Sequence, residues 1–236
     1  MKNEKIPQIA FPSISSFDIN PVNEKFVSLK EAGFKVEPMY YLQGIAGAYR
    51  DAYLRETPAN MLRKANDLLP DGLSIKVYDG YRPICVQKRL WQFYRMQVIN
   101  SHKGENLTDA EIDFKTSFFV SKPSYDVKQP SLHNTGGAVD VTIIDANGKE
   151  LNMGTAFDDF SEKAWTNHFE DYAVDEEVRD NRRLLYWTML EAGFTNLPSE
   201  WWHYDYGTKF WGYFTGQAAL YEGVLDIDFP DRFPFI

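Results

Sequence analysis

Ser131-Leu132-His133-Asn134-Thr135-Gly136-Gly137-Ala138-Val139-Asp140-Val141-Thr142-Ile143-Ile144 carries two signals in one short run. From Ala138 onward it reads as a β-strand. Successive strand side chains point to opposite faces, so Val139, Val141 and Ile143 face one way and Ala138, Asp140 and Thr142 the other. The stretch before it contains paired glycines, where a tight backbone turn costs little. Such a turn lets His133 fold back over Asp140.

Later in the chain, Glu200-Trp201-Trp202-His203 supplies a second imidazole and a second carboxylate, in a sequence with only 4 histidines. Two histidines and one carboxylate are a common ligand set for a catalytic zinc, which keeps one position open. His133, Asp140 and His203 are therefore the candidate zinc ligands. Glu200 is the candidate general base. Residues three apart on a regular strand point to opposite faces, so Glu200 and His203 can share one site only if the backbone turns or bulges at Trp201-Trp202. His102 and His168 lack such company and read as surface or structural residues. The four site residues together imply metal-assisted hydrolysis.

Composition narrows the alternatives. A chain of 236 residues suits a single domain with a sizeable core. A formal net charge of −9 argues against nucleic acid as a partner, because phosphate contacts need a basic face. Cys85 stands alone, so a metal site must use nitrogen and oxygen ligands, and a buried packing role is expected for the thiol. The N-terminal apolar patch is broken by Pro7 and Pro12, and no stretch is long enough to span a bilayer. These features suggest a cytoplasmic protein without a membrane partner.

The flanking segments set the expected fold. Residues 1–50 read as an irregular or strand-containing arm. Thr57-Pro58 predicts a helix start with Thr57 as N-cap, and Met61, Leu62, Ala65, Leu68 and Leu69 form one apolar face before Pro70-Asp71-Gly72. Leu73 to Tyr78 alternates as a half-buried strand, and a helix follows with Val86, Leu90, Phe93 and Gln97 on one side. Thr108 and Glu111 have capping-box spacing. Asp145-Ala146-Asn147-Gly148 predicts a hairpin turn, and residues 175–192 a helix stopped by Gly193. Hairpins mixed with helices predict an α+β single domain, its central, mainly antiparallel sheet flanked by helices with the zinc site in a cleft. Arg82, extended before Pro83 at the end of a strand, is a further candidate, to stabilise an oxyanion, although Asp79-Gly80-Tyr81-Arg82-Pro83 standing alone would read as carrying an exposed salt-bridge arginine.

Taken together, these residues resemble the zinc D-alanyl-D-alanine dipeptidases (VanX-like), within a wider group of zinc peptidases that includes D,D-carboxypeptidases and the hedgehog signalling domain. The wider pattern, Ser-x-His-x-x-x-Gly-x-Ala-x-Asp followed by Glu-x-x-His, is met by Ser131, His133, Gly137, Ala138, Asp140, Glu200 and His203. Asp79-Gly80-Tyr81-Arg82-Pro83, the run from Met153 to Asp158, and Asn181-Arg182-Arg183-Leu184-Leu185 look like the dipeptidase branch. The resemblance implies one zinc held by His133, Asp140 and His203, with Glu200 as base and then acid, and Arg82 stabilising the tetrahedral intermediate. It also implies that Asp158 receives the ammonium group of a small dipeptide substrate and that Ser131 lines the pocket. The family's Asn-Phe-x-Gly in the arm has no match at Tyr40-Tyr41-Leu42-Gln43-Gly44-Ile45-Ala46-Gly47, and residues 207–236 form an extension without a counterpart. The implied activity is hydrolysis of D-alanyl-D-alanine in cell-wall precursor turnover or glycopeptide resistance. Two alternatives stand beside it, a D,D-carboxypeptidase acting on longer muropeptides and a non-catalytic zinc-binding module that recognises peptides.

Overall fold

In chain order the elements of the computed structural model are β1 (Phe26–Ser28), β2 (Lys35–Val36), α1 (Met39–Leu42), β3 (Tyr53–Arg55), α2 (Glu56–Leu68), β4 (Leu73–Asp79), α3 (Ile84–Ser101), α4 (Asp109–Thr116), β5 (Ala138–Asp145), α5 (His168–Asp171), α6 (Glu176–Ala192), β6 (Thr195–Asn196), β7 (His203–Asp205) and α7 (Lys209–Thr215). The structure describes residues 4–10, 18–159, 161–171, 175–225, 227 and 229–232. Pro12 and part of the N-terminal arm lie outside the described residues, as do the last residues of the C-terminal extension.

Five strands form the central sheet in the order β2-β4-β5-β7-β6, with β2 parallel to β4 and every other pair antiparallel. This is the mixed, mainly antiparallel α+β arrangement that the hairpin and helix signals predict. Val139, Val141 and Ile143 pack into one core with Leu62 and Ala65 of α2 and Leu185 and Met189 of α6. By the two-residue period of a strand, Asp140 and Thr142 face the opposite side. There a smaller cluster forms from Tyr40 of α1, Val86, Leu90 and Trp91 of α3, and Val120. The cleft therefore opens on the face of the sheet away from the main core.

Several local expectations shift. α2 starts at Glu56 with Arg55 as its cap residue; the Thr57 amide and hydroxyl both donate to Glu24. In β4 the run from Ile75 to Tyr78 is buried on both faces, because Lys76 pairs with Glu37 and Glu150 while Tyr78 donates to Glu150. α3 buries Val86, Gln87, Leu90, Trp91 and Val98, whereas Phe93 is 57% exposed and Gln97 faces solvent. The Thr108–Glu111 capping box is present, and Asp175 caps α6. The turn after β5 closes through a single bridge, Ile144 to Glu150. Cys85 packs beside the α3 cluster, half-buried, and accepts a hydrogen bond from Arg232.

The C-terminal extension returns to the front of the molecule. Phe229 stacks on Tyr53, and Asn134, next to His133, donates its side-chain amide to Val224 O at 2.7 Å and accepts from Val224 N at 3.1 Å. The extension thus buttresses the turn that presents the first histidine.

Candidate metal centre and substrate cleft

His133 lies in a single 3-10 turn, Leu132–Thr135, that ends at Gly136 with φ 74°. A side chain on Gly136 would collide with the Phe26 ring, and one on Gly137 would lie 2.4 Å from Tyr206 O. Only glycines let the chain turn this tightly into β5. Asp140 sits on β5 directly opposite His203 of β7 and, on its other side, opposite Asp79 of β4. Register alone makes Asp140 and His203 neighbours on one face.

His133, Asp140 and His203 are all buried, and their donor atoms lie within 4.8 Å of one another. His133 Nε2 is 3.1 Å from His203 Nδ1 and 3.3 Å from Asp140 Oδ1, and His203 Nδ1 is 3.1 Å from Asp140 Oδ1. A tetrahedral centre with bonds of about 2.0–2.1 Å spaces its ligands about 3.3 Å apart, so this donor set fits one small divalent cation. The outer ring nitrogens are engaged, as histidine ligands require. His133 Nδ1 meets Gly80 O at 2.8 Å, and His203 Nε2 meets Asp205 Oδ2 at 3.0 Å.

Glu200 reaches the same point because the chain does turn before β7. Glu200 N donates to Leu197 O and His203 N to Glu200 O, so Glu200 Oε2 comes within 3.9 Å of His203 Nδ1. Burial pushes its carboxyl above the ordinary range, and Asp140 adds to this against the opposing pull of His203, His133 and Arg82. Arg82 follows β4 and is held on three sides. Its Nε donates to Asp79 at 2.8 Å, Nη1 to Gln87 at 3.1 Å and Nη2 to Tyr40 at 3.2 Å. Burial opposes the guanidinium charge, but Tyr40, Asp79 and Asp140 outweigh it and raise its pKa.

Asp158 lines the same cleft and accepts from Tyr40 Oη at 3.1 Å. Among the described residues it is the one non-glycine with positive φ, 59°. Ser131 also lines the cleft, which holds about 510 Å³ of free space, part of it open to solvent. Leu90, Tyr94, Phe119 and Val120 form its apolar wall. Every predicted site residue therefore faces one cavity, while His102 and His168 lie outside it. Tyr40, Gln87 and Asp205 are additions that sequence reasoning missed. Asp205 had a signal, since i and i+2 on a strand share a face with His203. Gln87 had none.

Burial, more than the nearby charges, pushes the Asp158 carboxyl up to about 8. The folded protein then keeps a proton that the unfolded chain releases near pH 4, so stability from this group falls as pH rises from about 4 to 8. Asp158→Asn removes that penalty and tolerates positive φ. In metal-free protein its melting temperature is expected to exceed that of the parent by several degrees at pH 8 and to match it near pH 4. A gain that is the same at both pH values would contradict the shift.

A buried set of two imidazoles and a carboxylate, faced by a further carboxylate and a guanidinium, defines a candidate metal centre of the kind hydrolases use. Residues 48–218 match the peptidase M15 family, D-Ala-D-Ala dipeptidase, and the chain belongs to that family. The D-alanyl-D-alanine dipeptidase of Escherichia coli (strain K12) is 32% identical over 157 residues, 66% of this chain and 62% of that protein. The D-alanyl-D-alanine dipeptidase of Synechocystis sp. is 28% identical over 152 residues, 59% of this chain and 62% of its own length. The chain thus spans 62% of each of these relatives. A solved structure of the vancomycin resistance D,D-pentapeptidase VanY aligns at TM-score 0.41 and 19% identity, over 87% of this chain and 96% of that one, a likeness too distant to bear on the site.

Proposed function

We propose that the protein hydrolyses D-alanyl-D-alanine, or a closely related small D,D-dipeptide, to free D-amino acids, with one zinc ion held by His133, Asp140 and His203. The observation that carries this reading is the placement of Glu200, Arg82 and Asp158 around the same cleft as the ligand cluster. Family membership supports the substrate class.

Zinc, when bound, supplies Lewis-acid polarisation of the scissile carbonyl and of water. Glu200 takes the proton from the attacking water and later delivers it to the departing amine. Arg82, fixed by Asp79, Gln87 and Tyr40, faces the carbonyl oxygen as negative charge develops there. Asp158 receives the free ammonium group, and Ser131 lines the pocket beside it. An N-acylated substrate brings no ammonium group to pair with Asp158 and so forfeits that charge-assisted contact, which favours dipeptides over longer chains. A role in cell-wall precursor turnover or glycopeptide resistance, and action in the cytoplasm, belong to the same proposal.

Parallel turnover assays on free D-alanyl-D-alanine and on a pentapeptide ending in D-alanyl-D-alanine test it. The reading expects the dipeptide to be preferred by at least about 100-fold in kcat/KM, the scale of losing a buried hydrogen bond between charged groups. Preference for the pentapeptide would point to a carboxypeptidase, and zinc binding without turnover of either to a recognition module.

A further inference from the structure

The Asn181-Arg182-Arg183 run takes no part in the chemistry above, yet Arg182 is only 2% exposed. Among the described residues no carboxylate pairs with it. Its Nε donates to Met153 O at 2.8 Å, Nη1 to Trp165 O at 2.6 Å and Nη2 to Lys163 O at 2.7 Å. The Phe169 ring centre lies 4.7 Å from its Cζ and that of Trp201 5.9 Å. Removing a cation from water is expensive, so a guanidinium given up to three carbonyls does something that a simple packing residue, cheaper to bury, could not.

The three carbonyls bracket one loop, and Asp158 sits within it. The same loop is tied elsewhere. Trp201 Nε1 donates to Thr155 Oγ1 at 2.8 Å, Trp201 N donates to Ala164 O at 3.0 Å, and Asn181 Nδ2 donates to Asn152 O at 3.0 Å. Gly154, at φ 82°, passes so close to Phe169 and Val178 that a Cβ there would lie 2.6 Å and 2.8 Å from their side chains. A left-handed aspartate costs about 1–2 kcal/mol and persists only where its surroundings over-determine it. The planar fork of an arginine fixes three directions at once, which the point charge of a lysine cannot do.

We infer that Arg182 is a positioning residue that clamps both ends of the loop and so holds Asp158 at the cleft. The kinetic part rests on the dipeptide reading above. Arg182→Lys, with zinc loaded, is expected to raise KM for D-alanyl-D-alanine at least about tenfold while kcat changes less than about threefold. In an Asp158→Asn background the same substitution is expected to change KM by less than about twofold, because the residue it acts through is already disabled. Equal KM rises in both backgrounds, or no rise in the first, would overturn the clamp. Should Arg182→Lys fail to fold, Arg182→Gln, whose uncharged amide can reach at most two of the three carbonyls, is expected to raise KM at least about threefold, and an unchanged KM would overturn the inference. Wild-type enzyme that leaves the dipeptide intact ends the functional reading instead. The clamp is then read by hydrogen exchange, where amides 154–159 are expected to exchange at least about tenfold faster in Arg182→Lys with β5 unchanged. Equal exchange in the two proteins overturns it.

Discussion

Glu200→Gln is expected to keep a full complement of zinc and to lose about 10³–10⁴-fold in kcat/KM on D-alanyl-D-alanine. The substitution is nearly isosteric, and Glu200 is not one of the three clustered ligands, so the donor set survives. What disappears is the cleft-lining carboxylate whose Oε2 lies 3.9 Å from His203 Nδ1 without belonging to the ligand set; Asp140 is committed to His133, His203 and Arg82. The fold should not suffer, because glutamine removes a carboxylate whose charge burial disfavours. Turnover within tenfold of the parent, with zinc intact, would assign the base elsewhere.

Arg82→Lys is the second large effect. A lysine keeps the charge but cannot reach Asp79, Gln87 and Tyr40 together, so its ammonium has no fixed direction toward the carbonyl oxygen. Loss of one preorganised oxyanion donor costs about 10²–10³-fold in kcat, and KM for the ground-state dipeptide should move by less than about fivefold. A change confined to KM would make Arg82 a substrate anchor and remove it from the oxyanion role. Melting curves separate either outcome from unfolding.

How much of this was legible follows from what each residue depends on. The face of Asp140 could be read because strand alternation is local, and the turn at Trp201-Trp202 because Glu200 and His203 cannot otherwise meet. Gly136 and Gly137 announced a close approach without saying to what; the answers, Phe26 and the Tyr206 carbonyl, come from distant segments. Phe93 was expected inside and lies outside, because α3 turns Gln87 inward, where its amide donates to Ser121 O and accepts from Arg82. A buried glutamine with both ends satisfied has no mark in a hydropathy pattern. Tyr40 was equally opaque. Its place between Arg82 and Asp158 depends on how the arm packs across the sheet, and the nearest sequence cue, the Asn-Phe-x-Gly run, is missing there. Asp158 was visible only through resemblance, since nothing local separates it from Asp159.

Zinc stoichiometry by elemental analysis, on the parent and on His133→Ala and His203→Ala after dialysis against a weak chelator, tests the central claim most directly. The account predicts close to one zinc per parent chain and a loss of at least about 100-fold in affinity for each variant, because two ligands hold a divalent ion far less well than three. A parent that retains no zinc, or variants that retain it as tightly as the parent, would contradict convergence of these side chains on one ion.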